Sequence, residues 1–284
     1  MTARETWRRL RFGVATLLGR EARGFFIPYR YASGVTPRDY PALTPVFRAA
    51  EDRMLGLLDA IDARAESLLA IQAGPGPARF DQGWFPRLDA AAAYALVRRE
   101  RPRRIVEIGS GHSTRFLARA VQDEGAATAI TCIDPAPRAT LAQLAVQHVP
   151  TLLQGADPAL IAGLQAGDIL FIDSSHVAMP GTDVDRLFLD VLPRLSPGVI
   201  VHVHDITLPD AYPVEWAWRG YNEQLLVGTL LQGGAYEILF ASHYAARTWP
   251  ERIGRGVLGR IPLQPGVPET SLWLRKRDTG EAGA

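Results

Sequence analysis

Arg104-Ile105-Val106-Glu107-Ile108-Gly109-Ser110-Gly111-His112-Ser113-Thr114 is the stretch on which the reading of this chain turns. It reads as a buried strand that runs straight into two glycines and then into a helix. Glycines at such a junction let a ligand approach the backbone and the exposed helical N–H groups. Further on, Ile130-Thr131-Cys132-Ile133-Asp134 is a second apolar strand, and it ends on a carboxylate. A carboxylate there is placed to accept hydrogen bonds from a ribose diol. The pair implies a nucleoside cofactor.

Glu107 bears on which nucleoside. It stands on the strand itself, two residues before the first glycine. A dinucleotide pyrophosphate needs backbone donors and helix polarity, and gains nothing from an anion there. S-adenosylmethionine (SAM) has no phosphate and carries a sulfonium and an amino group, for which a nearby carboxylate is favourable. The stretch also departs from the G-x-G-x-x-G spelling of dinucleotide sites. SAM is the favoured cofactor, and NAD the alternative.

The 284 residues suit one sizeable domain with an appendage, or two small ones, and a hydrophobic fraction of 47% supports a large core. The formal net charge of +1 gives no overall pull towards nucleic acid. No basic stripe with interleaved aromatics appears, so no nucleic-acid partner is expected. Cys132 is the only cysteine and falls in a predicted buried strand, which fits a small core residue and a cytoplasmic location. There is no apolar run of about eighteen residues to span a membrane, and no secretory signal core.

Near the N-terminus, Trp7, Leu10, Val14, Leu17 and Leu18 recur at helical spacing among Arg8, Arg9, Arg11, Arg20 and Arg23. Docking on the protein body or on a second copy, in a homo-oligomer, is the favoured expectation for this helix. Contact with a membrane surface is the other. Phe47, Met54, Leu58, Ile61, Leu68 and Ile71 predict a second helix, capped by Thr44 and ending near residue 71. Ala73-Gly74-Pro75-Gly76-Pro77 then breaks the pattern. Residues 1–78 are therefore expected to be a helical N-terminal region, and 79–284 the cofactor domain.

From Asp89 the elements alternate. Helix 89–99, strand 104–108, helix 112–122, strand 128–133, helix 137–147 and a strand near 149–154 come first. A short helix near 157–164 and strand 169–172 follow. Thr182 or Asp183 opens a helix with Val184, Leu187, Phe188, Val191, Leu192 and Leu195 on one face, and a strand covers 199–203. Near-continuous apolar strands alternating with helices predict an α/β fold with a parallel sheet covered on both faces. Residues 236–240 and 271–274 read as two more strands, joined by an Arg/Pro/Gly-rich loop without a convincing helix. They predict an antiparallel pair at one edge.

In this order the motifs resemble the class I SAM-dependent methyltransferases over about residues 88–277, and more closely the family-24-like group that includes macrolide sugar O-methyltransferases. The resemblance is carried by Glu107-Ile108-Gly109-Ser110-Gly111, Ile133-Asp134, Phe171-Ile172-Asp173-Ser174-Ser175-His176, Leu195-Ser196-Pro197-Gly198, His204-Asp205 and Tyr221-Asn222-Glu223-Gln224. It implies a Rossmann-like sheet of seven strands, mostly parallel, with the last strand antiparallel. It implies that residues 107–114 hold the methionine part of SAM, through Glu107, Gly109, Ser110, Gly111, Ser113 and Thr114. Asp134 would bind the ribose, Asp173 would border the cofactor, and the adenine would lie around Gln154-Gly155-Ala156. The reaction implied is methyl transfer to a hydroxyl of a small-molecule acceptor, sugar- or polyol-like.

Asp173, His176, His204 and Asp205 fall at the carboxyl ends of two predicted strands, where open parallel sheets bind ligands. Metal-dependent relatives carry acidic ligands at these strand ends, so Asp173, His204 and Asp205 are the expected ligands of Mg²⁺ or another divalent cation. His176 is the expected catalytic base, a neutral imidazole near its usual pKa of about 6.5. Plainer readings stand beside these: Asp173 and Asp205 as turn caps, His202 as a core residue, His112 as a shield over SAM. Tyr212, Trp216, Trp218 and Tyr221 either wall the acceptor pocket or simply pack together. Two other functions stay open, an NAD-dependent oxidoreductase and a SAM-fold scaffold without catalysis.

Overall fold

A computed structural model describes residues 3–19 and 23–278 of the chain. Seven strands form one sheet: Arg104–Ile108 (β1), Ala129–Ile133 (β2), Gln147–Val149 (β3), Ile169–Ile172 (β4), Ile200–Val203 (β5), Tyr236–Ala241 (β6) and Leu272–Lys276 (β7). Their order is β3-β2-β1-β4-β5-β7-β6. The first five strands pair in parallel, and β7 runs antiparallel between β5 and β6. β4 and β5 are buried along their whole length, as a sheet covered on both faces requires. The Rossmann-like fold with its reversed last strand is what the motif order led us to expect.

Twelve helices flank the sheet among the described residues: Ala3–Leu17 (α1), Thr44–Arg48 (α2), Glu51–Asp62 (α3), Ala65–Ala73 (α4), Arg87–Glu100 (α5), His112–Glu124 (α6), Ala159–Ala162 (α7), Asp183–Arg186 (α8), Leu192–Arg194 (α9), Glu223–Gln232 (α10), Ser242–Thr248 (α11) and Pro250–Arg255 (α12). Phe47, Met54, Leu58, Ile61, Leu68 and Ile71 are all buried, in the same core as the sheet residues Phe171 and Trp273. Each such side chain contributes about 1.5–3 kcal/mol by leaving water.

Several elements differ from the sequence expectation. The helix foreseen over 44–71 is three helices, and Thr44 is the first residue of α2 without a side-chain cap bond. The stripe stays buried across the breaks. No helix forms over 137–147. Pro135 and Pro137 withhold two backbone donors, and the Arg138 N–H instead bonds the Ser110 carbonyl at 3.2 Å, drawing that segment onto the glycine turn. The helix after Thr182 widens to a π turn over Leu187–Val191, because Pro193 has no N–H for the carbonyl four residues back. α11 and α12 occupy the stretch between β6 and β7 that was expected to be a loop. Trp7, Leu10, Val14 and Leu17 of α1 and Leu18 just after it are exposed, and of these Leu17 alone lines the groove between α1 and the protein body. Arg20, expected beside them, lies outside the described residues.

Candidate active site

The winding of the sheet reverses between β1 and β4, which opens a crevice at their carboxyl ends. Ile108 pairs with Ile172, so Gly109 and Asp173 leave the sheet side by side. Gly109 sits at φ +78°, and a Cβ there would collide with the Asp173 carbonyl oxygen. Only glycine fits that approach.

The turn beyond Gly109 is fastened from below by Glu107. The Gly111 N–H donates to Thr114 Oγ1 at 2.9 Å, and Thr114 Oγ1 donates on to Glu107 Oε2 at 2.6 Å. Ser113 Oγ donates to Glu107 Oε1 at 2.6 Å, and Cys132 Sγ lies 3.3 Å from Oε2. Glu107 is fully buried, and burial raises its pKa to about 7 against the partial offset of the Ser113 and Thr114 bonds. Its two oxygens serve the turn, and it does not line the cavity described below. A carboxyl raised in the folded state stabilises the fold fully below its unfolded pKa of about 4.5, and that contribution is lost as pH rises through about 7. Glu107→Gln should therefore gain stability relative to wild type between pH 5 and 8, on the order of 1–3 kcal/mol. Paired denaturant titrations across that range measure it; parallel pH curves for the two proteins would refute it.

Asp134 is committed in a similar way. Its Oδ2 accepts from Ser110 N at 2.6 Å and Ser110 Oγ at 3.1 Å, and its Oδ1 accepts from Ala136 N at 2.7 Å. Asp134 thus holds the outer limb of the glycine turn against the end of β2.

A cavity of about 370 Å³ opens above this floor. Ser110, Gly111, His112 and Ser113 line one side; Asp173, His176, His204 and Asp205 line its centre. The expected turn residues and the expected strand-end residues thus meet in one space. Glu107, Gly109, Thr114 and Asp134 lie behind its wall, and Gln154-Gly155-Ala156 lies outside it. Of the four aromatics, Trp216 and Tyr221 line the cavity, whereas Tyr212 and Trp218 do not. The Arg219 guanidinium lies 4.3 Å over the Trp216 ring and 3.6 Å from Asp205 Oδ2.

The centre is an ion-paired cluster. His176 Nδ1 lies 2.9 Å from the buried Glu223 Oε2, and its Nε2 is 3.3 Å from Asp173 Oδ1 and 3.6 Å from Asp205 Oδ2. His204 Nδ1 is 3.5 Å from Asp173 Oδ1 and 3.6 Å from Asp205 Oδ1, and its Nε2 is 3.4 Å from the buried Asp89 Oδ2. Burial opposes the imidazolium of His176, but hydrogen bonds to Asp173 and Glu223 and the Asp205 charge outweigh it, raising its pKa well above 6.5. That departs from the neutral imidazole expected from the sequence. His204 is raised in the same manner, with burial overcome by Asp173 and Asp205. Both histidines pair with carboxylates. Among the described residues no group of three or more His, Cys, Asp or Glu side chains is placed to hold a metal ion. Asp173, His204 and Asp205, the ligands expected for a divalent cation, are grouped here through His204 Nδ1.

Two of the three positive-φ non-glycine residues among the described residues belong to this cluster, His176 at +60° and Asp205 at +55°. Such strain persists only where the surroundings over-determine it. Here Asn222-Glu223-Gln224 at the start of α10 supplies the restraint. The Asn222 and Glu223 N–H groups bond the His176 carbonyl at 3.1 and 3.3 Å, and Asn222 Oδ1 accepts from Ala178 N at 2.6 Å. Gln224 Oε1 accepts from Thr207 N at 3.1 Å, steadying the loop after Asp205. Sequence reasoning left this triplet without a role, although three polar residues opening an apolar helix were a signal. Asp89 was missed altogether. Besides facing His204, it accepts from the Thr270 and Ser271 N–H groups at 2.9 Å each. His202 is a core residue, stacked on Phe171 with ring centroids 3.7 Å apart and bonded to Ser271 Oγ at 2.9 Å.

Residues 106–206 match the family described as Methyltransferase domain. A comparison with curated proteins finds no match. Among solved structures, the SAH-bound methyltransferase PaMTH1 of Podospora anserina is similar at 18% identity, covering 90% of this chain and 100% of its own, with a TM-score of 0.40. The plantazolicin methyltransferase BpumL, in complex with a pentazolic desmethylPZN analog and SAH, is similar at 15% identity over 78% of this chain and 98% of its own, with a TM-score of 0.44. The branched-chain polyamine synthase of Thermus thermophilus is similar at 15% identity over 76% of this chain and 64% of its own, with a TM-score of 0.43. The family match runs from Val106 on β1 to Ile206 just past β5 and spans the glycine turn, Asp134 and the whole Asp173–His176–His204–Asp205 cluster. Over that segment the chain is similar to the methyltransferase-domain family, and its seven-stranded sheet has the Rossmann-like methyltransferase topology.

Proposed function

We propose that this chain transfers a methyl group from SAM to a hydroxyl of a small, sugar- or polyol-like acceptor. The observation that carries this reading is the shared cavity, which joins the glycine turn to a histidine fixed between carboxylates. The turn fits the cofactor, because Gly109 and Gly111 keep side-chain bulk away from it, and Ser110 to Ser113 would hold the methionine part. When bound, SAM supplies an electrophilic methyl on a sulfonium sulfur. Asp173 and Asp205 accept hydrogen bonds from the acceptor and orient its hydroxyl. His176 Nε2 takes the hydroxyl proton as the oxygen–methyl bond forms and the sulfur–methyl bond breaks. Glu223 at Nδ1 fixes the ring and stabilises the imidazolium that results. Trp216 and Tyr221 give the acceptor an aromatic wall. Residues 79–284 would form the catalytic domain and 1–78 a helical region beside it, in the cytoplasm.

The test is transfer of labelled methyl from SAM to a panel of hydroxylated small molecules, with and without excess chelator. Ether products that persist in chelator are expected. Products methylated on nitrogen or carbon, or none from any hydroxyl, would overturn the reading, and loss of activity in chelator alone would restore the metal. The pH profile supplies a second check. Because His176 is held protonated, its base form appears only as pH climbs past its usual range. The acidic limb of kcat should lie clearly above about pH 6.5. A limb at or below that value would remove His176 from the role.

A further inference from the structure

We infer that α1 is a docking element for an anionic lipid surface. Its apolar residues Trp7, Leu10, Val14, Leu17 and Leu18 fall within an arc of about 100° at 3.6 residues per turn. That arc faces outward: Trp7 is 65% exposed, Leu10 57% and Leu17 64%. Phe12 and Thr16, on another side of the helix, and Leu17 at the edge of the arc line a groove shared with Met179 and Trp218, whereas Trp7, Leu10 and Val14 do not line it. Phe25, Phe26 and Ile27, a few residues on, are exposed at the rim of that groove. The result is a concentrated apolar surface of the kind that marks an interaction site.

Charge decides the occupant. Arg4, Arg8 and Arg11 run along one edge of the arc, Arg9 lies on the polar side, and Glu5 is the only acidic residue of α1. A second copy seated face to face would bring two arginine rows together with almost no acidic partners. Anionic headgroups neutralise the same row while the arc enters the acyl boundary. This pattern, leucine and tryptophan on one face and arginine beside it, is that of a helix lying in the interface plane. The inference concerns binding alone and stands apart from the reaction proposed above.

Co-sedimentation of the full chain with large unilamellar vesicles tests it. The chain is expected to pellet with phosphatidylglycerol-containing vesicles, to stay in solution with pure phosphatidylcholine, and to be released by high salt. Leu10→Asp, and separately the combined Arg4→Glu, Arg8→Glu and Arg11→Glu, should each weaken partitioning about tenfold or more. All four positions are exposed, so the thermal transition should not move; it is measured to confirm that each variant is folded. No pelleting of the wild-type chain, or wild-type pelleting by folded Leu10→Asp, overturns the inference. A dimer in light scattering that Leu10→Asp dissolves, without vesicle binding, also overturns it and gives the face to a second copy.

Discussion

Gly109→Ala is expected to destabilise the protein by at least about 3 kcal/mol and to abolish SAM binding. The left-handed backbone at φ +78° alone costs a residue with a Cβ about 1–2 kcal/mol. The larger share is steric. The methyl would run into the Asp173 carbonyl, and the backbone there is pinned, because the Asp173 N–H bonds the Ile108 carbonyl at 2.9 Å. Relief would have to part β1 from β4 at the crevice itself. Denaturant unfolding and SAM titration of the variant measure the two effects. A loss under about 1 kcal/mol with SAM still bound would mean that the turn is not the constrained floor described here.

His176→Ala is expected to lower kcat by roughly 10²–10⁴-fold with little change in SAM affinity, since its work falls in the transition state. The same substitution strips Asp173, Asp205 and Glu223 of the cation they share, and breaking a buried ion pair costs about 3–5 kcal/mol. His176→Gln, which keeps a polar side chain of similar reach, separates catalysis from folding. It should fold, bind SAM, lose the same rate and lose the acidic limb of the pH profile. The stability sign is also fixed. A histidine raised in the folded state stabilises fully below its unfolded pKa of about 6.5, and that contribution is lost as pH rises through the higher folded value. Wild type should therefore lose stability relative to His176→Gln on going to alkaline pH. Near-normal kcat with an unchanged limb in a folded variant would leave His176 a positioning loop residue.

What the sequence disclosed depended on how local the signal was. The positions of the glycine turn and the strand-end aspartates were legible because each is written within a few consecutive residues. The two strand patterns at 236–240 and 271–274 indicated an antiparallel pair, and motif order made the reversed strand the last one. For Glu107 the chain showed a carboxylate beside the glycine turn, but not that Ser113 and Thr114, in the first turn of α6, would reach back and bond both its oxygens. Asp89 and Glu223 escaped because their partners, His204 and His176, are distant in sequence and meet them only in the folded protein. The protonation of His176 was illegible for the same cause, as it depends on three carboxylates from three separate segments. The lost helix over 137–147 shows tertiary hydrogen bonding at Ser110 prevailing over helical propensity.

Calorimetric titration of the full chain with SAM, SAH and NAD, repeated on Asp134→Ala, tests the central claim most directly. The expected result is saturable binding of SAM and SAH, no binding of NAD, and a loss of about 1.5–3 kcal/mol of SAM affinity in the variant. That loss would follow from releasing Ser110 from its bonds to Asp134 at 2.6 and 3.1 Å as well as from any ribose contact. Saturable NAD binding without SAM binding, or SAM affinity unchanged in folded Asp134→Ala, would contradict a SAM site built on the Gly109–Gly111 turn.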